Sequence, residues 1–209
     1  MNNRRRPTYD KRTKICIICE GNEEERYINR LKELRVWNDD YNVTVRNAGS
    51  IDKIASEYEY AFSSVNYDIV LIMCDTEIPP YEKFIALKEK IDAFHDAAVS
   101  DKIIFYANPC TMQLILSHFA DIRLKTNNKS AIARDYLKKY CGLTEYRARE
   151  KELDAIMRKL TKENYCVMRK NLRNVPTTCD SMPGTNFLCL LAFLSDESHT
   201  WIDDINDLL

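Results

Sequence analysis

Short apolar runs alternate with helix-forming segments over roughly the first 120 residues. Runs that are continuously apolar, or that alternate apolar and polar residues, predict four strands, at residues 14–19, 41–46, 68–74 and 102–106. A segment with apolar residues at helical spacing follows each strand, at residues 23–35, 50–62, 81–98 and 108–119. Strands that alternate with helices are typical of an α/β fold with a mostly parallel sheet.

The pattern changes near residue 123, beyond which helical spacing dominates. Helices are predicted at residues 130–140, 144–172, 185–194 and 201–208, and Gly142, Pro176, Pro183 and Gly184 punctuate these segments. We interpret this half as a helical extension packed on the sheet and not as a separate domain. The predicted organisation is a basic N-terminal arm, an α/β domain and a basic helical extension, at residues 1–13, 14–122 and 123–209.

Composition and hydropathy narrow the class of protein. The chain has 209 residues, of which 45% are hydrophobic, enough to bury a substantial core. Its apolar runs are far shorter than the ~18 residues of a membrane-spanning helix, and no signal-peptide core follows the basic start. We therefore expect a cytoplasmic protein with no membrane association.

The eight cysteines lie mostly within apolar runs, which indicates reduced, buried side chains. Cys16 and Cys19 form a CxxC motif, a spacing also found in zinc and redox sites. The motif lies in a predicted strand, where residues three apart point to opposite faces. We therefore favour two core positions over a metal or redox pair.

The net charge of −1 conceals a strong segregation along the chain. Residues 20–101 carry 18 acidic and 9 basic side chains, whereas residues 123–173 carry 15 basic and 6 acidic ones. A metal-dependent enzyme that acts on phosphates needs both surfaces, carboxylates for cations and basic groups for the phosphate backbone. Solvated helix faces would give the same pattern, so charge alone leaves both interpretations open.

Acidic residues directly follow two of the predicted strands. Glu20 follows the first strand, and Asp75 and Glu77 follow the third. Active sites of α/β sheets lie at the carboxyl ends of the strands, and carboxylate oxygens are the ligands that Mg²⁺ prefers. We predict that Glu20, Asp75 and Glu77 bind Mg²⁺ or Mn²⁺ and act in catalysis. Ordinary polar loop residues are the alternative.

Several motifs, in this order along the chain, resemble the RloB-like family of Toprim-related bacterial proteins, which occur with restriction and abortive-infection loci. The similarity spans roughly residues 14–194. The matching segments are Glu20-Gly21-Asn22-Glu23-Glu24-Glu25-Arg26-Tyr27, Cys74-Asp75-Thr76-Glu77, Ala107-Asn108-Pro109-Cys110, His118-Phe119, Met168–Leu172 and Pro183–Asn186.

The resemblance implies a Toprim-like sheet that binds Mg²⁺ for phosphodiester chemistry. Glu20 matches the family's first-strand glutamate, which acts as general acid/base or assists metal binding. Asp75 matches the first residue of the Asp-x-Asp pair, and Glu77 stands where the second aspartate is expected. The supporting positions implied by the resemblance are Glu24, Tyr27, Asn108, Pro109, Cys110 and His118.

Three positions depart from the family's pattern. Glu23 replaces the usual threonine, Glu77 is one methylene longer than aspartate, and Met112 stands where an acidic residue is usual. The longer arm of Glu77 can weaken an octahedral Mg²⁺ site, and the loss of a carboxylate at Met112 can remove a second metal position. The resemblance therefore supports the fold more strongly than the activity.

Two supporting positions also have purely structural explanations. Asn108 precedes Pro109 and a predicted helix, so it is expected to be the N-cap residue, with phosphate contact at the helix N-terminus as the alternative. His118 lies in an apolar stretch, where a hydrogen-bonded histidine is more common than a ligand.

The basic half supplies candidates for nucleic-acid contact, because lysine and arginine side chains neutralise backbone phosphates. The predicted contact residues are Lys129, Arg134, Lys138, Lys139, Arg158, Lys159, Lys162, Arg169, Lys170 and Arg173.

Three functional hypotheses follow. The first is a Mg²⁺-dependent Toprim-type nuclease that acts on DNA or RNA in anti-phage defence. The second is a catalytically degenerate module that binds nucleic acid or a nucleotide, and the third is an accessory subunit with a partner protein in a defence complex.

Overall fold

A computed structural model describes residues 12–209 of the chain. Residues 1–11 of the predicted basic arm therefore lie outside the described residues. No helix in the described part of the chain is both long and apolar enough to cross a membrane.

The core of the fold is a mostly parallel five-stranded sheet, which confirms the predicted α/β class. Its strands are β1 (Thr13–Cys19), β2 (Tyr41–Asn47), β3 (Ile69–Asp75), β4 (Ile104–Asn108) and β5 (Gly184–Thr185). The strand order is β2-β1-β3-β4-β5, and only the β4–β5 pair is antiparallel. Because β1 and β3 are parallel neighbours in the middle of the sheet, their carboxyl ends meet at one edge.

Helices surround the sheet. Within residues 12–107 they are α1 (Asn22–Glu33), α2 (Ile51–Ser64), α3 (Glu82–His95) and α4 (Ser100–Ile103). Beyond residue 107 they are α5 (Met112–Ser117), α6 (Lys129–Ile132), α7 (Lys138–Cys141), α8 (Glu150–Met157), α9 (Lys162–Leu172), α10 (Phe187–Ser195) and α11 (Thr200–Asn206). A π-helical turn, Ala133–Leu137, joins α6 to α7.

The central strands are apolar throughout because both faces of the sheet are covered. Successive residues of β1, such as Ile17 and Ile18, are fully buried although they point to opposite faces. Burial of each such side chain contributes about 1.5–3 kcal/mol. Cys16 and Cys19 are also buried in this strand, and burial raises the pKa of both thiols. The interpretation of the CxxC motif as two core positions is confirmed.

The C-terminal half contributes to the sheet itself. In β5, Thr185 pairs with Ala107 of β4. Asn186 then bonds the same strand, since its Oδ1 accepts from the Tyr106 N–H at 2.8 Å and its Nδ2 donates to the Ile104 carbonyl at 2.9 Å. The helix predicted from residue 185 therefore begins two residues later, because Thr185 and Asn186 pair with β4 instead.

The helix predicted over residues 144–172 is two helices in the structure. Thr161 begins the second of them, α9, with a reciprocal cap: its hydroxyl accepts from Asn164 N, and Asn164 Oδ1 accepts from Thr161 N at 2.8 Å. This cap satisfies the first backbone N–H groups of α9 and fixes the break between α8 and α9.

Candidate functional site

The loops that follow β1 and β3 enclose a half-open cleft of about 380 Å³. Glu20 follows β1 directly, and its Oε2 accepts a hydrogen bond from the backbone N–H of Asp75, the last residue of β3, at 3.1 Å. This bond joins the carboxyl ends of the two central strands. The cleft is lined by Glu20, Gly21, Asn22, Glu23, Glu24, Gly49, Asp75, Glu77, Cys110, Met112, Asn127, Lys129, Ile132, Arg147 and Ala148.

The first turn of α1 adds a third carboxylate to the cleft. Glu24 is 4% exposed, and its Oε2 accepts from the N–H of Gly21, the N-cap residue, at 3.0 Å. An acidic side chain at this place is favoured by the positive end of the helix dipole. The cap therefore holds Glu24 beside the ends of β1 and β3.

Asp75 is fixed by the segment that follows β4. The Thr111 N–H and hydroxyl both donate to Asp75 Oδ1, at 2.7 and 2.9 Å. The second oxygen, Oδ2, receives no hydrogen bond from residues 12–209. Asp75 is therefore held in one orientation with one carboxylate oxygen free. Thr111 was not identified from the sequence, where nothing distinguishes it from any threonine near a helix start.

The carboxylates raise one another's pKa values. Burial, followed by the charge of Glu24, raises the pKa of Glu20 to about 7. Burial, followed by the charge of Glu23, likewise raises the pKa of Glu24 to about 7. Burial and the charges of Glu24 and Glu20 raise the pKa of Asp75 well above its usual value. The cleft thus concentrates negative charge that is costly to keep ionised without a cation.

Glu77 lies at the mouth of this cleft. Its residue is exposed and has a φ of 64°, in the left-handed region. Its Oε2 accepts from Asn127 Nδ2 at 2.7 Å, and its charge contributes to the raised pKa of Glu20. Met112, in contrast, is buried and gives the cleft an apolar wall.

Two cationic side chains from the C-terminal half also line the cleft. Lys129 Nζ lies 3.0 Å from Glu23 Oε1, and its ammonium is 5.8 Å from the centre of the Tyr146 ring. Arg147 is more exposed, and its nearest carboxylate partner is Glu145 at 3.9 Å. Acidic groups of the sheet edge and basic groups of residues 127–147 therefore share one cleft.

Asn108 and His118 do not line the cleft. Asn108 is the last residue of β4 and is fully buried, with its Nδ2 donating to the Tyr81 hydroxyl at 3.1 Å and to the Cys179 carbonyl at 2.7 Å. The expectation that it caps a helix is wrong, because α5 begins only at Met112 and its cap position is Thr111. The side chain of Asn108 instead ties β4 to neighbouring loops.

His118 lies in the core between α1 and α9. Its Nε2 is 3.0 Å from the Tyr27 hydroxyl, and its Nδ1 is 3.0 Å from Asn164 Oδ1. Burial lowers the pKa of this imidazole to about 4, so the ring is neutral at physiological pH. Both ring nitrogens are used for packing contacts, which matches the structural explanation of this residue.

The ten predicted nucleic-acid contacts are spread over exposed surfaces of the C-terminal half. Lys129 lies in the cleft, and Arg134 pairs with Asp135 at 2.7 Å. The other eight form no ion pair within residues 12–209. They are Lys138, Lys139, Arg158, Lys159, Lys162, Arg169, Lys170 and Arg173. Their charges are thus available to an external polyanion.

A larger cleft, of about 1000 Å³, lies between α1 and α8. Several of its charged side chains pair with one another: Arg26 bonds Glu150 at 2.6 Å and lies 3.4 Å from Asp154, and Arg30 bonds Glu33 at 2.9 Å. Arg30 also donates to the Leu160 carbonyl. We place the candidate site at the smaller cleft because that cleft lies at the carboxyl ends of the central strands.

No group of three or more His, Cys, Asp or Glu side chains within residues 12–209 is arranged as a formed metal site. None of the family models, curated proteins or solved structures compared with the chain matches it. The class of protein that fold and site define is thus an α/β protein with an acidic cleft at the ends of its central strands.

Proposed function

We propose that this protein is a Mg²⁺- or Mn²⁺-dependent phosphodiesterase of the Toprim type that cleaves nucleic acid. One observation carries the proposal. Glu20, Glu24 and Asp75 place three carboxylates at the adjoining ends of two parallel central strands, the usual place of the active site in such sheets.

The donors in the cleft fit a hard divalent cation. Asp75 keeps one oxygen free while Thr111 holds the other, and Glu20 keeps Oε1 free of donors from residues 12–209. Mg²⁺ is usually bound by one or two carboxylates together with water and substrate phosphates. Glu77 Oε2 accepts a hydrogen bond from Asn127, so Glu77 would be a third ligand through its other oxygen, Oε1.

The side chains divide the chemistry between them. Asp75 and Glu20 would hold the cation, which when bound activates water and stabilises the leaving oxygen. Burial raises the pKa of Glu20 to about 7 in the metal-free chain, and a cation bound there would lower this pKa and favour the carboxylate. Arg147, at the mouth of the cleft, is placed to contact a substrate phosphate.

The exposed basic side chains of the C-terminal half support nucleic acid as the substrate, because an extended strand needs phosphate contacts beyond the cleavage point. The resemblance to RloB-like proteins adds a context of anti-phage defence in the cytoplasm, with a partner protein of a defence system as a further expectation. The fold proposed with this function is a Toprim-like sheet with a basic helical extension.

Cleavage of labelled oligonucleotides tests the proposal. We expect Mg²⁺- or Mn²⁺-dependent cleavage of at least one of single-stranded DNA, duplex DNA and single-stranded RNA. Asp75→Asn keeps the oxygen that accepts from Thr111 but removes the charge, and is expected to lower the rate at least about 100-fold.

Asp203→Asn is the matched control, since it makes the same chemical change at an exposed position of α11. This control is expected to cleave at the wild-type rate. Equal rates for wild type and Asp75→Asn on every substrate would reject the proposed function.

The second candidate is a binding module without catalysis. Two observations favour it: the cleft has the apolar Met112 where the family has an acid, and the Glu77 carboxylate bonds Asn127. Oligonucleotide binding that is unchanged by chelator, together with no cleavage, would support this candidate over the nuclease.

A further inference from the structure

Lys129 reaches into the acidic cleft from a well-defined helix start. It is the first residue of α6, and the preceding Asn128 caps that helix by accepting from Ala131 N at 3.0 Å. From there Lys129 Nζ lies 3.0 Å from Glu23 Oε1. The Glu23 side chain is only 11% exposed, so the lysine neutralises a carboxylate that water barely reaches.

The ammonium also interacts electrostatically with Asp75. Attraction to Glu23, with a further contribution from Asp75, raises the pKa of Lys129 despite its partial burial. The charge of Lys83 counteracts the raised pKa of Glu20, but neither Lys83 nor Arg147 forms an ion pair with a carboxylate of the cluster. Lys83 pairs with Asp52 at 3.0 Å, and Arg147 approaches no carboxylate of the cluster within ion-pair distance.

We propose that Lys129 is a tethered counter-cation that occupies the negative potential of the Glu20–Glu24–Asp75 cluster and competes with a divalent metal ion for it. This inference rests on the proposed function, because it takes the same carboxylates as metal ligands. The Lys129 side chain is 48% exposed, so water can solvate the ammonium once it leaves Glu23. A lysine ammonium is a compact charge on a flexible stem, suited to such an exchange.

The exchange sets the metal affinity of the resting protein. A dication would bind more tightly once Lys129 withdraws from Glu23, since two positive charges in the same cleft repel each other. Removal of the ammonium should therefore strengthen metal binding, the opposite of what is expected for a lysine that merely supports the fold.

Isothermal titration of Mn²⁺ into the chelator-treated full chain tests the proposal. We expect Lys129→Met to bind Mn²⁺ with a Kd at least about tenfold lower than wild type. Lys129→Arg, which keeps the charge, should stay within about threefold of wild type. Lys129→Gln is a second neutral variant, expected to behave as Lys129→Met does.

Arg147→Met is the matched control, because it removes the same charge from the same cleft without vacating Glu23. It should change the Mn²⁺ Kd by less than about threefold. An equal gain in both methionine variants would overturn the tethered-cation proposal in favour of general charge in the cleft. Unchanged or weaker Mn²⁺ binding in both neutral Lys129 variants would also overturn it.

The experiments distinguish failure of the counter-cation proposal from failure of the proposed nuclease function. Tight binding by Lys129→Met with no nucleic-acid cleavage by any variant would support the counter-cation and reject the nuclease. Metal-dependent cleavage by wild type, with no gain in Mn²⁺ affinity in Lys129→Met, would support the nuclease and reject the counter-cation. No Mn²⁺ binding by wild type or by either neutral variant would overturn both.

Discussion

At the scale of single residues, Glu20 shows how the candidate site is built at the expense of stability. Its carboxyl has an ordinary pKa of 4.5, which burial and the charge of Glu24 raise to about 7 in the folded chain. The folded state therefore holds the proton more tightly than the unfolded state. Ionising Glu20 at high pH destabilises the fold, and this penalty disappears as the pH falls below the unfolded pKa.

We predict that Glu20→Gln stabilises the metal-free protein at pH 8 by roughly 2–3 kcal/mol, somewhat less than the full pKa displacement gives because part of the side chain is solvated. The amide oxygen can still accept from Asp75 N. The gain should shrink between pH 7 and pH 4.5 and vanish below, as measured by urea unfolding in chelator at each pH.

The comparison must be made between variants at each pH, because other groups titrate in the same range. His118 has a folded pKa of about 4 against an ordinary value of 6.5, so its contribution runs in the opposite direction and is lost as the pH falls. If Glu20→Gln raises the free energy of unfolding equally at pH 4 and pH 8, ionisation of Glu20 is not the cause of the stabilisation.

At the scale of elements, the short β5 strand and the residue after it determine how the sheet ends. Asn186 makes two side-chain hydrogen bonds to the backbone of β4, at 2.8 and 2.9 Å. These bonds replace the ladder that a longer strand would provide. Without them, a partly buried N–H and a carbonyl of β4 would lose their partners.

We predict that Asn186→Ala lowers the free energy of unfolding by about 2–3 kcal/mol, about 1–1.5 kcal/mol for each lost bond. Asn174→Ala, at an exposed loop position, is the control and should change stability by less than about 0.5 kcal/mol. Urea denaturation of both variants measures the difference. A similarly small change in the free energy of unfolding in both variants would show that β5 pairs stably with β4 without the Asn186 side chain.

Strands with a clear apolar pattern could be predicted from the sequence. A strand that forms only by pairing with a residue far away in the chain could not. The parallel strands β1 to β4 follow from their apolar runs, each within two residues of its predicted bounds. By contrast, β5 has only two residues and exists because Ala107 and Asn108 offer it a partner. A hydrophobic pattern cannot report a pairing of that kind.

The residues of the candidate site also fall into those that the sequence reveals and those that it does not. Glu20, Asp75 and Glu77 were identifiable because acids after buried strands stand out in a sequence. Thr111 was not, since its role depends on reaching Asp75 across the sheet edge. Asn108 was misassigned because the following proline imitates a helix start, whereas the structure uses its amide to join loops.

At the scale of the whole molecule, charge is divided between the acidic residues 20–101 and the basic residues 123–173. Eight of the ten predicted contact residues in the second segment form no ion pair within residues 12–209, since only Lys129 and Arg134 do. Phosphate neutralisation by such groups releases counterions, so the affinity for nucleic acid should fall steeply with salt.

We predict that the triple variant Lys162→Gln, Arg169→Gln, Lys170→Gln on α9 lowers the salt slope of log Kd for single-stranded oligonucleotides by up to about 2. Fluorescence anisotropy over a range of salt concentrations measures the slope. The control Arg35→Gln, Lys53→Gln, Lys90→Gln makes the same charge change in the acidic segment and should leave it unchanged. Equal slopes in both triple variants would remove α9 from the binding surface.

The antiparallel pairing of β5 with β4 also means that the last strand of the sheet is synthesised long after the other four. The acidic pocket needs Glu20, Asp75 and Thr111, all of which leave the ribosome well before Gly184 and Thr185. Until residues 184–186 are synthesised, the β4 edge lacks the partner that β5 gives it in the folded chain. Residues 184–186 arrive late, and with them the nascent protein closes the last gap in its sheet.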